Sequence, residues 1–144
     1  MKNLRNYTST VSPDKSILTI ERDLVRAGAT HMAKKYSPTG EIEAVLFQMN
    51  YEGNFVTFQV PANVPATERY MMKKFKKTAS ATLHQQALRT AWKNVSEWIQ
   101  IQVDMILLQQ LEPLEAFLPY VYSNRTGLTY YQSLKESNFK ALPQ

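Results

Sequence analysis

Seven cationic side chains, Arg69, Lys73, Lys74, Lys76, Lys77, Arg89 and Lys93, fall between residues 61 and 96, where Glu68 is the only acid. Elsewhere the charges nearly cancel, with seven positive and six negative groups in residues 1–60 and three and five in residues 97–144. The net charge of +5 and the pI near 9.4 therefore originate in one quarter of the chain. A concentrated run of ammonium and guanidinium groups neutralises phosphates and releases their counterions, so the chemistry it points to is salt-dependent binding of nucleic acid. Tyr70 inside the run and Tyr36 upstream of it are the rings placed to stack on bases. Phe47, Phe55 and Phe58 could join them only if one face of a sheet were open. Phe75 and Trp92 read as core residues.

Other chemistry is sparse. The absence of cysteine removes disulfides, thiolate metal sites and a cysteine nucleophile, and fits a reducing cytosol. The four glycines, at 28, 40, 53 and 127, are too scattered for a phosphate cradle or a dinucleotide fingerprint. His31 and His84 have no carboxylate or second histidine at metal-site spacing, and His84 reads as packed or satisfied at a helix end. Glu41 and Glu43 share one face of a predicted strand and read as solvated. Glu97 and Asp104, on the polar side of a predicted helix, could flank a metal, but Lys93 one turn before Glu97 suits an ordinary helix ion pair. No catalytic group, metal site or cofactor is assigned, and the chain reads as non-enzymatic.

These side chains need elements to hold them. Ser12-Pro13-Asp14 gives a cap, a first-turn proline and a first-turn acid, so a helix is expected over 13–27 with Gly28 as its stop. The period then changes to two. Alternation from Thr30 to Tyr36, a turn at 37–40, a strand over 41–50, a turn at 51–54 and a strand over 55–60 predict a three-stranded antiparallel meander. Asn63 and Pro65 open a second helix carrying Met71 and Phe75 on one side and Arg69, Lys73, Lys76 and Lys77 on the other. A third helix over about 80–111 is marked by Leu88, Ala91, Trp92, Val95, Trp98, Ile99, Met105 and Ile106, with Pro113 as its limit. A short helix follows, broken at Pro119, and the aromatic residues 123–144 are expected to pack on the domain or on a neighbour. The unpatterned residues 1–11 are expected to be a flexible arm. The fold class is α+β in the order αβββαα, with residues 12–122 as one domain. No signal peptide or membrane span is expected, because no run approaches the roughly 20 apolar residues needed to cross a bilayer.

Several segments also carry a resemblance. Ala27-Gly-Ala-Thr-His-Met-Ala-Lys-Lys-Tyr36, Ala44-Val-Leu-Phe-Gln-Met49, Phe58-Gln-Val-Pro-Ala-Asn63, Ala91-Trp-Lys-Asn-Val-Ser-Glu-Trp98 and Phe117-Leu-Pro-Tyr120 resemble a family of small uncharacterised phage and prophage proteins. The similarity spans roughly residues 16–122. It implies a bacterial host cytoplasm during infection and carries no catalytic residue across. The functional expectation is a non-enzymatic accessory protein binding single-stranded or structured DNA, in replication or recombination, through the basic helix. The competing expectation is a protein–protein module, either an inhibitor of a host factor or a structural oligomer. The breadth of the apolar stripe on the third helix makes a homo-oligomer the expected state.

Overall fold

A computed structural model describes residues 3–143; Met1, Lys2 and Gln144 lie outside the described residues. The first helix, α1, runs Pro13–Arg26, and the Ser12 side chain accepts from the Lys15 N–H at 3.2 Å. Gly28 ends it with a positive φ of 108° while the Ala29 N–H reaches back to the Leu24 carbonyl. This left-handed residue and back-bond are the closure in which glycine carries no Cβ penalty. Three antiparallel strands follow: β1 (His31–Tyr36), β2 (Ile42–Tyr51) and β3 (Asn54–Pro61), in the order β1-β2-β3. Tyr51 pairs with Asn54, so β2 and β3 are joined by the two residues Glu52 and Gly53, both at positive φ as a type I′ turn requires.

Val45, Phe47 and Met49 alternate along β2, opposite Val60, Phe58 and Val56 of β3. That face meets α1 through Ile17, Ile20 and Leu24. It also meets α3 (Ala81–Leu107), through Leu88, Ala91, Trp92 and Ile99, in one continuous core. The Trp92 indole N–H donates to the Ile42 carbonyl at 3.3 Å, which lets a fully buried tryptophan satisfy its polar atom. The second helix, α2 (Val64–Phe75), packs on the start of α3 through Met71 and is capped by Asn63. The architecture is α+β in the expected order, with the long α3 as its spine.

The structure departs from the sequence expectation in two places. First, α3 stops at Leu107 rather than 111. Gln109 takes φ 61°, and the Gln110 N–H bonds the Met105 carbonyl at 2.9 Å, a left-handed closure made without glycine. Second, residues 3–11 do not hang free. The Asn6 carbonyl accepts from Thr90 Oγ1 at 2.8 Å, the Ser9 carbonyl accepts from Gln86 and Arg89, and Tyr7 stacks on Phe75 at 5.5 Å. The C-terminal stretch wraps the β3 edge. After α4 (Pro113–Phe117), Phe117 packs against Phe47 and Phe58, and Val121 bridges Phe58. A small hairpin, β4 (Tyr122–Ser123) and β5 (Leu128–Thr129), then leads into α5 (Tyr130–Glu136). Among the described residues no helix is long and apolar enough to cross a membrane.

Candidate functional site

The helix α2 sorts its residues by face. Met71 is buried against α3 and Phe75 is half-buried under Tyr7, whereas Arg69 and Lys73, one turn apart, are exposed. Lys76 is the left-handed C-cap and Lys77 follows it; both are exposed. No described acid lies within ion-pairing distance of these four cations. Arg69 and Lys73 lie about 6 Å apart along the axis at about 1.5 Å per residue, and Lys76 and Lys77 extend this basic strip in sequence past the end of the helix. Tyr70, 49% exposed, borders the strip.

The remaining candidates are placed differently. Lys74 and Lys93 are half-buried. Arg89 is spent on the N-terminal segment, donating from Nε to the Ser9 carbonyl at 3.1 Å and from Nη2 to Gln86 Oε1 at 2.6 Å. Tyr36 is exposed, but the depression it borders is shared with Asp14, Lys34 and Glu41, and none of the α2 cations lines it. Phe47, Phe58 and Trp92 are fully buried, and Phe55 alone of the sheet phenylalanines is exposed. Lys93 does not pair with Glu97. That carboxylate takes the Asn6 amide at 2.8 Å and Arg5 at 3.4 Å from the N-terminal segment.

The acid missing from the α2 strip is found on its other side. Glu68 turns toward the first turn of α3, where His84 Nδ1 lies 2.8 Å from its Oε1. The opposite ring nitrogen, Nε2, lies 2.8 and 2.9 Å from the two oxygens of Glu41. Glu41 is held there by the turn joining β1 to β2, in which its N–H donates to Ser37 Oγ and its carbonyl accepts the Ser37 N–H at 2.7 Å. Three elements thus meet at one imidazole. Hydrogen bonding to Glu68 first, then to Glu41, raises the His84 pKa above its usual 6.5, against a smaller opposing effect of burial. When the ring is protonated, both nitrogens carry protons and both donate.

Such a cluster is a clamp rather than a metal centre. The two carboxylates sit on opposite ring nitrogens, so no single point faces both acids and an imidazole lone pair, and no metal-holding group occurs among the described residues. Of the two readings of His84, packed or satisfied at a helix end, the geometry fits the second: its side chain is 35% exposed and both ring nitrogens are bonded in the first turn of α3. Of the two acids read as solvated, Glu43 is exposed, whereas Glu41 is committed to His84. Sequence reasoning missed this constellation because its members are 43 and 16 residues apart. No family model, curated protein or solved structure matches this chain.

Proposed function

We propose that this protein binds nucleic acid, in single-stranded or structured form, through the exposed face of α2. One observation carries the reading: Arg69 and Lys73 on α2 and Lys76 and Lys77 at the cap that ends it are all solvent-exposed, and Glu68, the only acid in that region, is turned away to His84. Cations with no partner among the described residues are free to neutralise phosphates, and Tyr70 beside them offers a stacking surface. The resemblance to phage and prophage proteins suggests an accessory role in replication or recombination in a bacterial host cytoplasm. The test is retention of a labelled oligonucleotide by the full chain. Changing Lys73, Lys76 and Lys77 together to Glu is expected to abolish it, and undiminished retention ends the proposal.

A second reading, a protein–protein module, is favoured by the far end of α3. Ile101, Leu107 and Leu108 are 57, 45 and 68% exposed, and Leu118 beyond α4 is 43% exposed. Apolar side chains gathered at one end of a spine helix suit self-association or docking on a host protein. Light scattering on the purified chain, and a nuclease-treated pull-down, distinguish a homo-oligomer, a heterologous partner and neither.

A further inference from the structure

A cavity of about 460 Å3 lies between the outer face of the sheet and the C-terminal extension, within the size range of small-molecule sites. Gln59 of β3 lines it. The residue is 8% exposed, and among the described residues its side-chain amide has no hydrogen-bond partner. Its amide is not sealed in the core but opens onto the cavity, where a ligand can reach it. Gln48, on the same sheet face, shows the ordinary case, donating to Thr57 Oγ1 at 3.0 Å. Gln132 reaches the cavity from α5 with its Oε1 already accepting the Thr129 N–H at 2.8 Å, which leaves its NH2 group as a donor. Two rings also line the space: Tyr120, held edge-on against Trp98 at 5.6 Å, and Tyr131, 50% exposed. Lys35 and Glu43, both exposed, also line it and form no ion pair with each other.

We propose that this cavity binds a nucleobase, with Lys35 taking the phosphate of the same nucleotide. A glutamine amide presents an acceptor and a donor side by side in one plane. Its complement is a flat ring edge carrying an adjacent donor and acceptor, the pattern that nucleobases display. Tyrosine rings bordering the cavity favour a planar heterocycle over an aliphatic ligand. Lys35 supplies the charge that a phosphate requires, and Glu43 accepts from sugar hydroxyls. The base arrives either on a free mononucleotide or as part of a bound strand, and only the second source rests on the reading of α2 given above.

The experiment titrates the isotope-labelled full chain with the four ribonucleoside monophosphates, and with inorganic phosphate as the probe lacking a base, following side-chain NH2 resonances. Saturable shifts at Gln59 and Gln132, with at least one nucleotide preferred over phosphate, are expected. Gln59→Leu is expected to weaken that binding about tenfold. Because Gln59 is buried, Tyr131→Ala on the exposed wall serves as a second variant and is expected to weaken it several-fold. Identical shifts from phosphate alone, no shifts at millimolar nucleotide, or wild-type affinity in both variants would overturn the proposal. The Lys73→Glu/Lys76→Glu/Lys77→Glu chain separates the two sites: it should lose the oligonucleotide and keep the mononucleotide. Oligonucleotide binding that moves the Gln59 resonance supports the strand as the source; movement with mononucleotide alone supports the free nucleotide.

Discussion

The electrostatic reading of α2 makes a quantitative prediction about salt. Four exposed cations, Arg69, Lys73, Lys76 and Lys77, are available to neutralise four phosphates. Counterion release contributes a log–log slope of about −0.7 per phosphate on single strands, giving about −2.8 for the set, and about −3.6 on duplex at about −0.9 each. A rise from about 50 to 200 mM salt should therefore lower single-strand affinity about 50-fold and duplex affinity about 150-fold. Neutralising Lys73, Lys76 and Lys77 to Gln leaves Arg69, so the single-strand slope should fall to about −0.7 and the same salt step should cost only about 2.6-fold. Fluorescence anisotropy of a labelled oligonucleotide across a salt series measures both slopes. Arg89 and Lys93 provide the internal control, because Arg89 is spent on Ser9 and Gln86 and Lys93 is half-buried. A slope that survives neutralisation of the three lysines, or one that collapses on Lys93→Gln instead, refutes the assignment.

Three further outcomes concern the scaffold. A histidine whose folded pKa is raised contributes stability below the unfolded value of about 6.5 and loses it as pH rises through the folded value. Urea denaturation of the wild type should thus lose stability across that window relative to His84→Gln. With the ring 35% exposed, the difference after solvent screening should be on the order of 1 kcal/mol or less, and parallel pH profiles would contradict the clamp. Ser16 Oγ on α1 is buried without a described partner, so Ser16→Ala should be neutral or stabilising by up to about 1 kcal/mol, read from the urea midpoint; a clear loss would mean that the hydroxyl is bonded in solution. Phe117, fully buried between Phe47, Phe58 and Trp98, should cost about 3–5 kcal/mol on truncation to Ala, and a cost below about 1 kcal/mol would show that α4 does not close the core.

Local chemistry made the secondary structure legible. Ser12, Pro13 and Gly28 bound α1, the turn residues Glu52 and Gly53 set the β2–β3 register, and Asn63 caps α2. Each of these signals acts within a few residues, so a sequence displays it directly. The end of α3 was hidden because Gln109 takes a left-handed conformation usually signalled by glycine or asparagine. The docked N-terminal segment was hidden for another reason. Its backbone carbonyls at Asn6 and Ser9 make the decisive bonds, and every residue type has a carbonyl. The Glu41–His84–Glu68 cluster depends on bringing a turn, α2 and α3 together, a tertiary result with no short-range periodicity to announce it. The basic strip was legible as composition, but its division into four exposed cations and three half-buried ones needed the packing of α2 and the N-terminal segment.

That division also bears on what the lysines are for. Lysines kept for solubility are ordinarily interspersed with acids, and neither sign needs a fixed orientation. Here the one neighbouring acid is withdrawn to the opposite face, where Glu68 meets His84 in the first turn of α3. The helix bearing the cations is pinned near its start by that contact, along its middle by buried Met71, and at its end by Phe75 stacked on Tyr7. A face fixed at three points presents its charges without first paying the ordering entropy that a loose basic segment must meet on binding. The anchors lie outside the phosphate-facing strip, so they shape the platform without competing for the ligand. The clamp and the basic strip are therefore two faces of one design: the contact that orients α2 is the same contact that removes its only counter-charge.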